Sequence, residues 1–262
     1  MNISFIGYGN MAKAIARSIQ KQGKYCLSAA APSLTVGVNK ENIHTHYDNK
    51  EVIKNADIIL LAVKPAQMST VLKEITPFIP SNCLLISVAA GLNLPWFAKY
   101  CKTGQAIIRT MPNTPATVGL AATPMIANES TSLEQKKWAE QLFSSFGITT
   151  WAKNEDDMDT FTALSGSGPA YVFLFLEAMV DAAVELGLED QIAKTFAVQT
   201  FAGSLNLAQH SKLDLTELRR KVTSPGGTTA AALQILHKKL NELIFCAMKA
   251  AKEKAHELGK MN

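Results

Sequence analysis

Two glycine-rich loops, far apart in the chain, have the backbone geometry best suited to binding anions. The first is Gly7–Ala12, in which two glycines and an alanine follow a G-x-G-x-x-A spacing. The glycines let the backbone turn tightly and approach a pyrophosphate, and the alanine lets a helix start close to the preceding strand. Because N–H groups at a helix N-terminus attract negative charge, this spacing predicts a dinucleotide-binding loop. An ordinary strand-to-helix turn is the alternative.

The second loop, Thr223–Thr229, has the sequence TSPGGTT and precedes a helical pattern that starts near Thr229. Glycines at a helix N-terminus again leave backbone N–H groups open to an anion, and a carboxylate fits there as well as a phosphate. The alternative is a helix-breaking connector in which Thr228 or Thr229 is the N-cap.

The residues after the second predicted strand indicate which nicotinamide cofactor is bound. NAD enzymes usually end this strand with Asp or Glu, which holds the ribose hydroxyls, whereas a 2′-phosphate needs hydroxyl, amide or cationic donors. Here the strand runs into Ala31, Pro32 and Ser33, with no acid. The sequence therefore favours NADPH, with Ser33 and Asn49 or Lys50 near the phosphate, unless an acid reaches the ribose from elsewhere.

Small residues follow the third and fourth predicted strands, in the segments Ala62–Pro65 and Val88–Gly91. Ligands of open α/β sheets bind at the carboxyl ends of the strands, and small residues there let ribose and nicotinamide approach. Lys64 is either part of that site or a solvated surface charge.

Two further segments are typical of shaped loops. Arg109–Pro115 contains two prolines and two threonines directly after a strand, and we interpret it as a wall of the ligand cleft or as a purely structural loop. Ser165–Tyr171 joins two helical patterns, with Pro169 suited to the first turn of the second one. The five histidines lie outside the glycine motifs, which argues against a catalytic histidine.

The elements that must position these residues change in character along the chain. Five apolar runs predict parallel strands covered on both faces: Ile3–Ile6, Cys26–Ala31, Ile58–Val63, Cys83–Val88 and Ala106–Arg109. A helix with apolar residues on one stripe follows the first strand and stops at Gly23. From Asp156 onward the spacing is helical. We predict an α/β Rossmann-type dinucleotide-binding domain, residues 1–153, and an all-α helical domain, residues 154–262, with a cleft between them.

Composition excludes several classes of protein. A net charge of +4 with scattered Lys and Arg does not fit a nucleic-acid-binding protein. The four cysteines are far apart, without a C-x-x-C pair or histidines at zinc spacing, so we expect reduced core thiols and no metal site. With 47% hydrophobic and 18% charged residues, the chain is expected to have apolar surface covered by a partner subunit, in a homo-oligomer.

The chain opens on a strand pattern rather than on a signal sequence. Its longest apolar run, Tyr171–Leu176, stops at Glu177 and is too short for the roughly 20 residues of a membrane-spanning helix. We therefore expect a cytoplasmic protein without membrane segments.

Five motifs in order give the chain a resemblance to a known family. Gly7–Ala12, Ala62–Pro65, Met111–Pro115, Ser165–Tyr171 and Thr223–Thr229 resemble the motifs of pyrroline-5-carboxylate reductase. The resemblance implies reduction of L-1-pyrroline-5-carboxylate to L-proline by NAD(P)H, the last step of proline biosynthesis. It also implies that the helical domain serves dimerisation and substrate binding, in an oligomer built from intertwined dimers.

The same resemblance implies site residues. Cofactor contacts fall on Ile6, Gly7, Tyr8, Gly9, Asn10, Met11, Ser33, Asn49, Ala62, Val63, Lys64, Pro65, Val88, Ala89 and Ala90. Substrate contacts fall on Ser224, Gly226, Gly227, Thr228 and Thr229. The chain departs from the family at His237–Leu240, where an acidic residue and a glycine pair are usual, and at Ser211–Glu217, which lacks a proline. Both departures concern the last helices more than the chemistry.

A cyclic imine accepts hydride readily once its nitrogen is protonated, so this reaction needs no dedicated His or Lys acid. We hypothesise that the Thr229 hydroxyl is the catalytic group, which hydrogen-bonds the ring nitrogen and either orients the ring or relays its proton. N–H groups of Gly226, Gly227 and Thr228 would hold the carboxylate. Hydride then passes from nicotinamide C4 to the imine carbon, helped by proximity and orientation.

Two other functions share parts of this layout. A β-hydroxyacid dehydrogenase, a relative of imine reductases, needs a lysine shortly after its Gly-Ser-Gly motif. Here Gly166–Gly168 is followed by no lysine before Lys194, which argues against alcohol oxidation. An NADPH-binding regulatory or scaffold protein would lack turnover, and the intact second loop with Thr229 counts against it.

Overall fold

The short apolar runs of the first half pair into one mixed sheet in the computed structural model, which describes residues 1–261 and side chains as far as Gly259. Its strands are β1 (Asn2–Ile6), β2 (Cys26–Ala30), β3 (Gly37–Val38), β4 (His44–His46), β5 (Ile58–Leu61), β6 (Leu84–Ser87), β7 (Ile107–Thr110), β8 (Ala121–Ala127) and β9 (Gly147–Trp151). They lie side by side in the order β3-β4-β2-β1-β5-β6-β7-β8-β9. The strands β2, β1, β5, β6 and β7 are parallel, so their carboxyl ends share one edge.

All five predicted strands are present, with ends that differ by one or two residues. Every residue of β5 and β6 is buried, because helices cover both faces of a parallel sheet. The sequence did not predict β3, β4, β8 and β9. The His-Thr-His sequence of β4 is polar. Alanine, threonine and proline interrupt the apolar pattern of β8, and glycine and two threonines that of β9. Since β3 and β8 pair antiparallel with β4 and β7, the sheet is mixed.

Helices flank the sheet and dominate the second half of the chain. Those of the first half are α1 (Asn10–Gln20), α2 (Asn49–Ile53), α3 (Pro65–Ile75), α4 (Leu94–Ala98) and α5 (Leu133–Ser144). Those of the second half are α6 (Glu155–Phe161), α7 (Gly168–Glu185), α8 (Asp190–His210), α9 (Leu215–Lys221), α10 (Thr228–Leu236) and α11 (Leu240–Met261). A 3-10 turn at Thr114–Val118 follows β7, and a π-helical turn at Thr162–Gly166 joins α6 to α7. The predicted helical second half is confirmed.

Two hydrophobic cores hold the sheet in place, one on each face. Ile15 of α1 and Phe143 of α5 are fully buried in the first core. Leu72 of α3 and Phe97 of α4 are fully buried in the second. Side chains of β1 alternate between the two cores, as the period of a strand requires. The carboxyl ends of the parallel strands are therefore held by a sheet that is packed on both faces.

Contacts divide the chain into two compact units. Unit 1 comprises Met1–Pro169 together with the C-terminal residues from Ala250 onward, and unit 2 comprises Ala170–Lys249. Helix α6 belongs to unit 1 together with the sheet. There, Glu155 and Asp159 of α6 pair with Arg109 of β7. The domain boundary between residues 153 and 154, drawn from the change in sequence pattern, stays a prediction.

Unit 2 exposes many large apolar side chains. Phe173, Phe196 and Phe245 are 65%, 68% and 68% exposed, and α7 has no buried residue within the described chain. By length and composition alone, the helical run Glu155–Glu185 is long and apolar enough to cross a membrane, with 6% of its most apolar window buried. Glu177 does not end the apolar pattern, because the helix continues beyond it through further apolar residues.

Candidate active site

The first glycine loop follows β1 and lies between the ends of β2 and β5, the two strands that flank β1. The Gly7 N–H donates to the Ala30 carbonyl at 2.8 Å, and the Ala62 N–H donates to the Ile6 carbonyl at 2.8 Å. Gly7 has a φ of +85°, and a Cβ atom there would lie 2.8 Å from the Ala62 carbonyl carbon. Both the conformation and the close backbone contact therefore require glycine at this position.

The second glycine of this loop leaves the N-terminus of α1 open. Gly9 is the N-cap of α1, and no atom of the described chain lies within 4 Å of the position that its Cβ would occupy. Gly9 and Asn10 are exposed, and Gly9 has no side chain to accept from the first N–H groups of the helix. Ala12 is 1% exposed and packs in the core. The loop thus has the geometry of a pyrophosphate site.

Other side chains of this loop point into the protein. Tyr8 is buried with its ring 6.2 Å from that of Phe5, and its hydroxyl donates to Glu41 at 3.1 Å. Burial, and then the Glu41 carboxylate, raise the pKa of Tyr8 to about 12. Ile6 is fully buried and Met11 is half-buried. Any contact that Ile6 or Tyr8 makes with an anion must therefore come from its backbone.

A cavity of about 790 Å³ runs along the exposed side of α1 and meets the loop at Asn10. Lys13, Arg17 and Lys21 line it at helical spacing, and Glu41 lies across from them. The Glu41 carboxylate accepts from Arg17 Nε at 2.5 Å, so it is already neutralised by a cation.

The carboxyl end of β2 is where the adenosine ribose of a dinucleotide would lie. Ser33 is exposed two residues after Ala31, whose N–H donates to the His46 carbonyl at 3.2 Å. The Asn49 amide is half-buried and donates to Glu74 at 3.3 Å. His46 is therefore part of strand β4 and lies beside the predicted phosphate site.

The segments after β5 and β6 lie next to each other at the same edge. The Val88 N–H donates to the Leu61 carbonyl at 3.1 Å, and the Ala89 N–H donates to Ser87 Oγ at 3.2 Å. Lys64 is exposed as the N-cap of α3, with Pro65 in the first turn. The predicted cofactor residues thus lie on the strand ends of unit 1, and their individual roles stay predictions.

The second glycine loop, in unit 2, is a tight turn followed by a helix. The Gly227 N–H donates to the Ser224 carbonyl at 3.1 Å, and Gly226 has a φ of +70°. With Pro225 in the second position, these are the features of a type II turn. Gly227 is the N-cap of α10, which begins at Thr228. The alternative with Thr228 or Thr229 as N-cap is therefore wrong.

This turn changes which groups can hold a carboxylate. The Gly227 N–H is used inside the turn, so it is not a free donor as hypothesised. The N–H groups at the start of α10 meet no capping side chain, since Gly227 has none. Thr229 is half-buried in this first helical turn. The loop retains the geometry of an anion site, with donors displaced toward Thr228 and Thr229.

The sequence leaves Arg109 as either part of a cleft wall or a purely structural residue, and its side chain is enclosed within unit 1, which favours the structural role. It is 2% exposed, contacts Glu155 through a short ion pair, and lies 3.7 Å from Asp159. The following loop packs on the π-helical turn, where the Asn113 amide donates to the Ser165 carbonyl at 3.0 Å. The sequence did not signal this ion-pair cluster, because Glu155 and Asp159 are distant in the chain and lie on an ordinary acidic helix start.

The cysteines only partly fit the expectation of core thiols. Cys83 is buried and Cys101 half-buried, and burial raises the pKa of each thiol to about 12. Cys26 and Cys246 are exposed. All four are free thiols.

Comparisons with known proteins span nearly the whole chain. Residues 155–258 match a family model described as pyrroline-5-carboxylate reductase dimerisation, and residues 2–91 match one described as NADP oxidoreductase, coenzyme F420-dependent. The pyrroline-5-carboxylate reductase of Pseudomonas aeruginosa is 36% identical, with 98% of this chain and 96% of that protein covered.

Two solved structures are similar over their full length. A pyrroline-5-carboxylate reductase from Coxiella burnetii has a TM-score of 0.92 and 38% identity, with 98% of each chain covered. The Plasmodium falciparum pyrroline carboxylate reductase with NADP bound has a TM-score of 0.89 and 34% identity, with 99% of this chain and 98% of that chain covered.

Proposed function

This chain belongs to the pyrroline-5-carboxylate reductase family, and we propose that it uses NADPH in preference to NADH. The chain catalyses the NAD(P)H-dependent reduction of L-1-pyrroline-5-carboxylate to L-proline, the last step of proline biosynthesis. The observation that carries the proposed site is the pair of open helix N-termini at Gly9 and Gly227, each preceded by a glycine turn.

The preference for NADPH rests on the exit of β2. Ser33 is exposed there, and no acid follows the strand directly. Glu41, the nearest acid along the chain, is bound by Arg17 and by the Tyr8 hydroxyl. A 2′-phosphate would meet the Ser33 hydroxyl at this strand end, where an Asp or Glu would instead bind the ribose hydroxyls of NAD.

The substrate carboxylate is proposed to bind at the second glycine loop. The N–H groups of Thr228 and Thr229 and the positive end of the α10 dipole would face it. Gly226 permits the conformation of the turn, and Ser224 is its first residue. Gly227 has no side chain that could bind the first N–H groups of α10. Ser224, Gly226, Gly227, Thr228 and Thr229 thus keep their proposed place in the substrate site.

In the proposed mechanism, the substrate arrives as the iminium, with the proton already on its ring nitrogen. Thr229 Oγ accepts the hydrogen bond of that N–H and orients the ring. A bound nicotinamide would supply hydride to the imine carbon, and the C=N π electrons would move to the ring nitrogen, which would give the secondary amine of proline. Orientation in place of a dedicated acid accounts for a site built from glycine and threonine.

We also propose that the protein works as a homo-oligomer of intertwined dimers in the cytoplasm, without a membrane segment. Exposed phenylalanines such as Phe173 and Phe245 are costly in water, and a second copy would cover them. The matched dimerisation region, residues 155–258, contains the run Glu155–Glu185 that is apolar enough for a membrane. A subunit interface is the proposed reason for its apolar surface.

The reaction is tested by mixing purified protein with NADPH and pyrroline-5-carboxylate and following the reduced nicotinamide and L-proline together. We expect one proline for each NADPH oxidised, with slower turnover on NADH. Oxidation of a 2-hydroxy acid with NADP, without activity on the imine, would contradict the assigned reaction. Cofactor binding without turnover on either substrate would favour a regulatory or scaffold role.

A further inference from the structure

We infer that the turn His256–Gly259, near the end of α11, positions the nicotinamide half of the cofactor site. It packs on Gly91–Asn93, which directly follows the segment Val88–Ala90. The inference rests on the proposed cofactor role of that segment. These residues of α11 are positioning residues, since they act through the loop rather than by touching the cofactor.

The two turns meet closely through backbone atoms and the Cβ atom of Leu258. Gly91 is buried with a φ of +75°, and a Cβ atom there would lie 2.9 Å from Leu258 Cβ. From the other side, a Cβ atom on Gly259 would lie 3.1 Å from the Gly91 carbonyl oxygen. Because neither glycine leaves room for a side chain, the position of Gly91 follows that of α11 closely.

Polar and charged side chains link this stretch of α11 to the sheet. His256 Nδ1 lies 3.3 Å from Asp159 Oδ2, and Asp159 also pairs with the buried Arg109. Arg109 Nε is buried without a hydrogen-bond partner, beside a small cavity of about 150 Å³ that Gly91 and His256 also line. The turn at Gly91 therefore lies over a cavity. It is held by α11 at Gly91 and by Glu155 at Leu94.

The far end of the same turn is fixed by Glu155. One oxygen of its carboxylate accepts the Leu94 N–H at 2.6 Å, and the other contacts Arg109. Asn93 caps α4 by accepting the Trp96 N–H at 2.8 Å. With Leu94 held in this way, a shift of α11 would move the residues before it, Gly91 and the adjoining Ala89–Ala90.

Such a shift would change the fit of the nicotinamide ribose more than the binding of the substrate. We expect Gly259→Val to raise the Kd and the KM for NADPH about tenfold, with the KM for pyrroline-5-carboxylate within about twofold of wild type. Gly259→Ala should raise the Kd about threefold, because its smaller side chain needs a shift of a few tenths of an ångström. Lys254→Ala is the matched control, since this exposed lysine lies on the same helix and outside the turn His256–Gly259.

NADPH binding is measured by calorimetry on the full chain without substrate, beside the melting temperature of each variant. A Gly259→Val protein with a lower melting temperature but unchanged NADPH affinity would show a structural contact only and overturn the inference. His256→Ala should weaken NADPH binding about threefold, and His256→Asn, which can still donate to Asp159, should restore it. If Gly259→Val does not fold, unchanged affinity in Gly259→Ala and His256→Ala would overturn the inference equally.

The same measurements distinguish a failure of the assigned reaction from a failure of the positioning role. A wild-type protein that binds NADPH but does not reduce the imine would contradict the reaction and leave the positioning role standing. A wild-type protein with normal turnover, and Gly259 variants with wild-type NADPH affinity, would overturn the positioning role alone. A wild-type protein without NADPH binding would overturn both.

Discussion

The two glycine loops both expose a helix N-terminus, yet their glycines are required for different reasons. At Gly7, φ is +85° and a Cβ atom would lie 2.8 Å from the backbone of Ala62. At Gly226, φ is +70°, but no described atom lies within 4 Å of the Cβ position. Neighbouring strands and backbone conformation both require glycine at Gly7, whereas at Gly226 conformation alone does.

This difference shows how one anion-binding geometry can be built in two settings. The first loop is part of a packed sheet, so β2 and β5 hold its shape. The second keeps its shape through one internal hydrogen bond, from the Gly227 N–H to the Ser224 carbonyl, in a unit whose apolar side chains are largely exposed. The first glycine loop should therefore tolerate substitution less well than the second.

The largest expected effect is that of Gly7→Ala. The left-handed conformation costs about 1–2 kcal/mol for a residue with a Cβ. Displacing the Ala62 backbone adds about 1–3 kcal/mol. At about 1.4 kcal/mol per tenfold, the KM for NADPH should rise several hundredfold. Steady-state kinetics with NADPH varied measures this change, and a KM within tenfold of wild type would show that Gly7 is not held by its neighbours.

Thr229→Ala should lower kcat about a hundredfold, because the iminium loses the group that orients it. The KM for NADPH should not change. Thr229→Ser restores the hydroxyl and should recover most of the turnover, and Thr195→Ala, on α8, serves as a control hydroxyl. Equal kcat values for the Ala variant and wild type would remove Thr229 from the mechanism.

Ser33→Ala tests the cofactor side without touching the substrate loop. Loss of a hydrogen bond to a charged phosphate, about 2 kcal/mol, should raise the KM for NADPH about thirtyfold. The KM for NADH, which has no 2′-phosphate, should stay the same and is the internal control. Parallel increases for both cofactors would place Ser33 away from the phosphate.

Gly226→Ala has the smallest expected effect of the four. Strain of about 1–2 kcal/mol in the turn should raise the KM for pyrroline-5-carboxylate about tenfold. The KM for NADPH should be unchanged. Gly203→Ala, within α8 and with nothing near its Cβ position, is the glycine control and should slightly stabilise the protein. A larger rise in KM for Gly226→Ala than for Gly7→Ala would show that the second loop, and not the first, is the less tolerant of substitution.

The sequence alone predicts those parts of the fold that depend on residues close together in the chain. The apolar runs of β5 and β6, the glycine spacing at Gly7 and the helix start after Gly227 each have a local physical cause. The resemblance added the reaction, which the loops alone could not specify.

Features that depend on distant contacts were missed. Strand β9 pairs with β8 although its residues alternate between half-buried and exposed, which leaves a weak apolar pattern. Arg109 finds its carboxylates on α6, and Gly91 packs against α11, so neither contact has a signature in its own segment. The use of the Gly227 N–H inside its turn was overlooked as well, although a proline followed by glycine at the next position is typical of a type II turn.

We propose that one glycine loop binds the anion of the cofactor and the other the carboxylate of the substrate. A crystal structure of the protein with NADPH and L-proline would show where both anions bind. We expect the pyrophosphate at the N–H groups after Gly9, and the proline carboxylate at those of Thr228 and Thr229, with its ring nitrogen within hydrogen-bond distance of Thr229 Oγ. A proline carboxylate bound away from the start of α10 would contradict it.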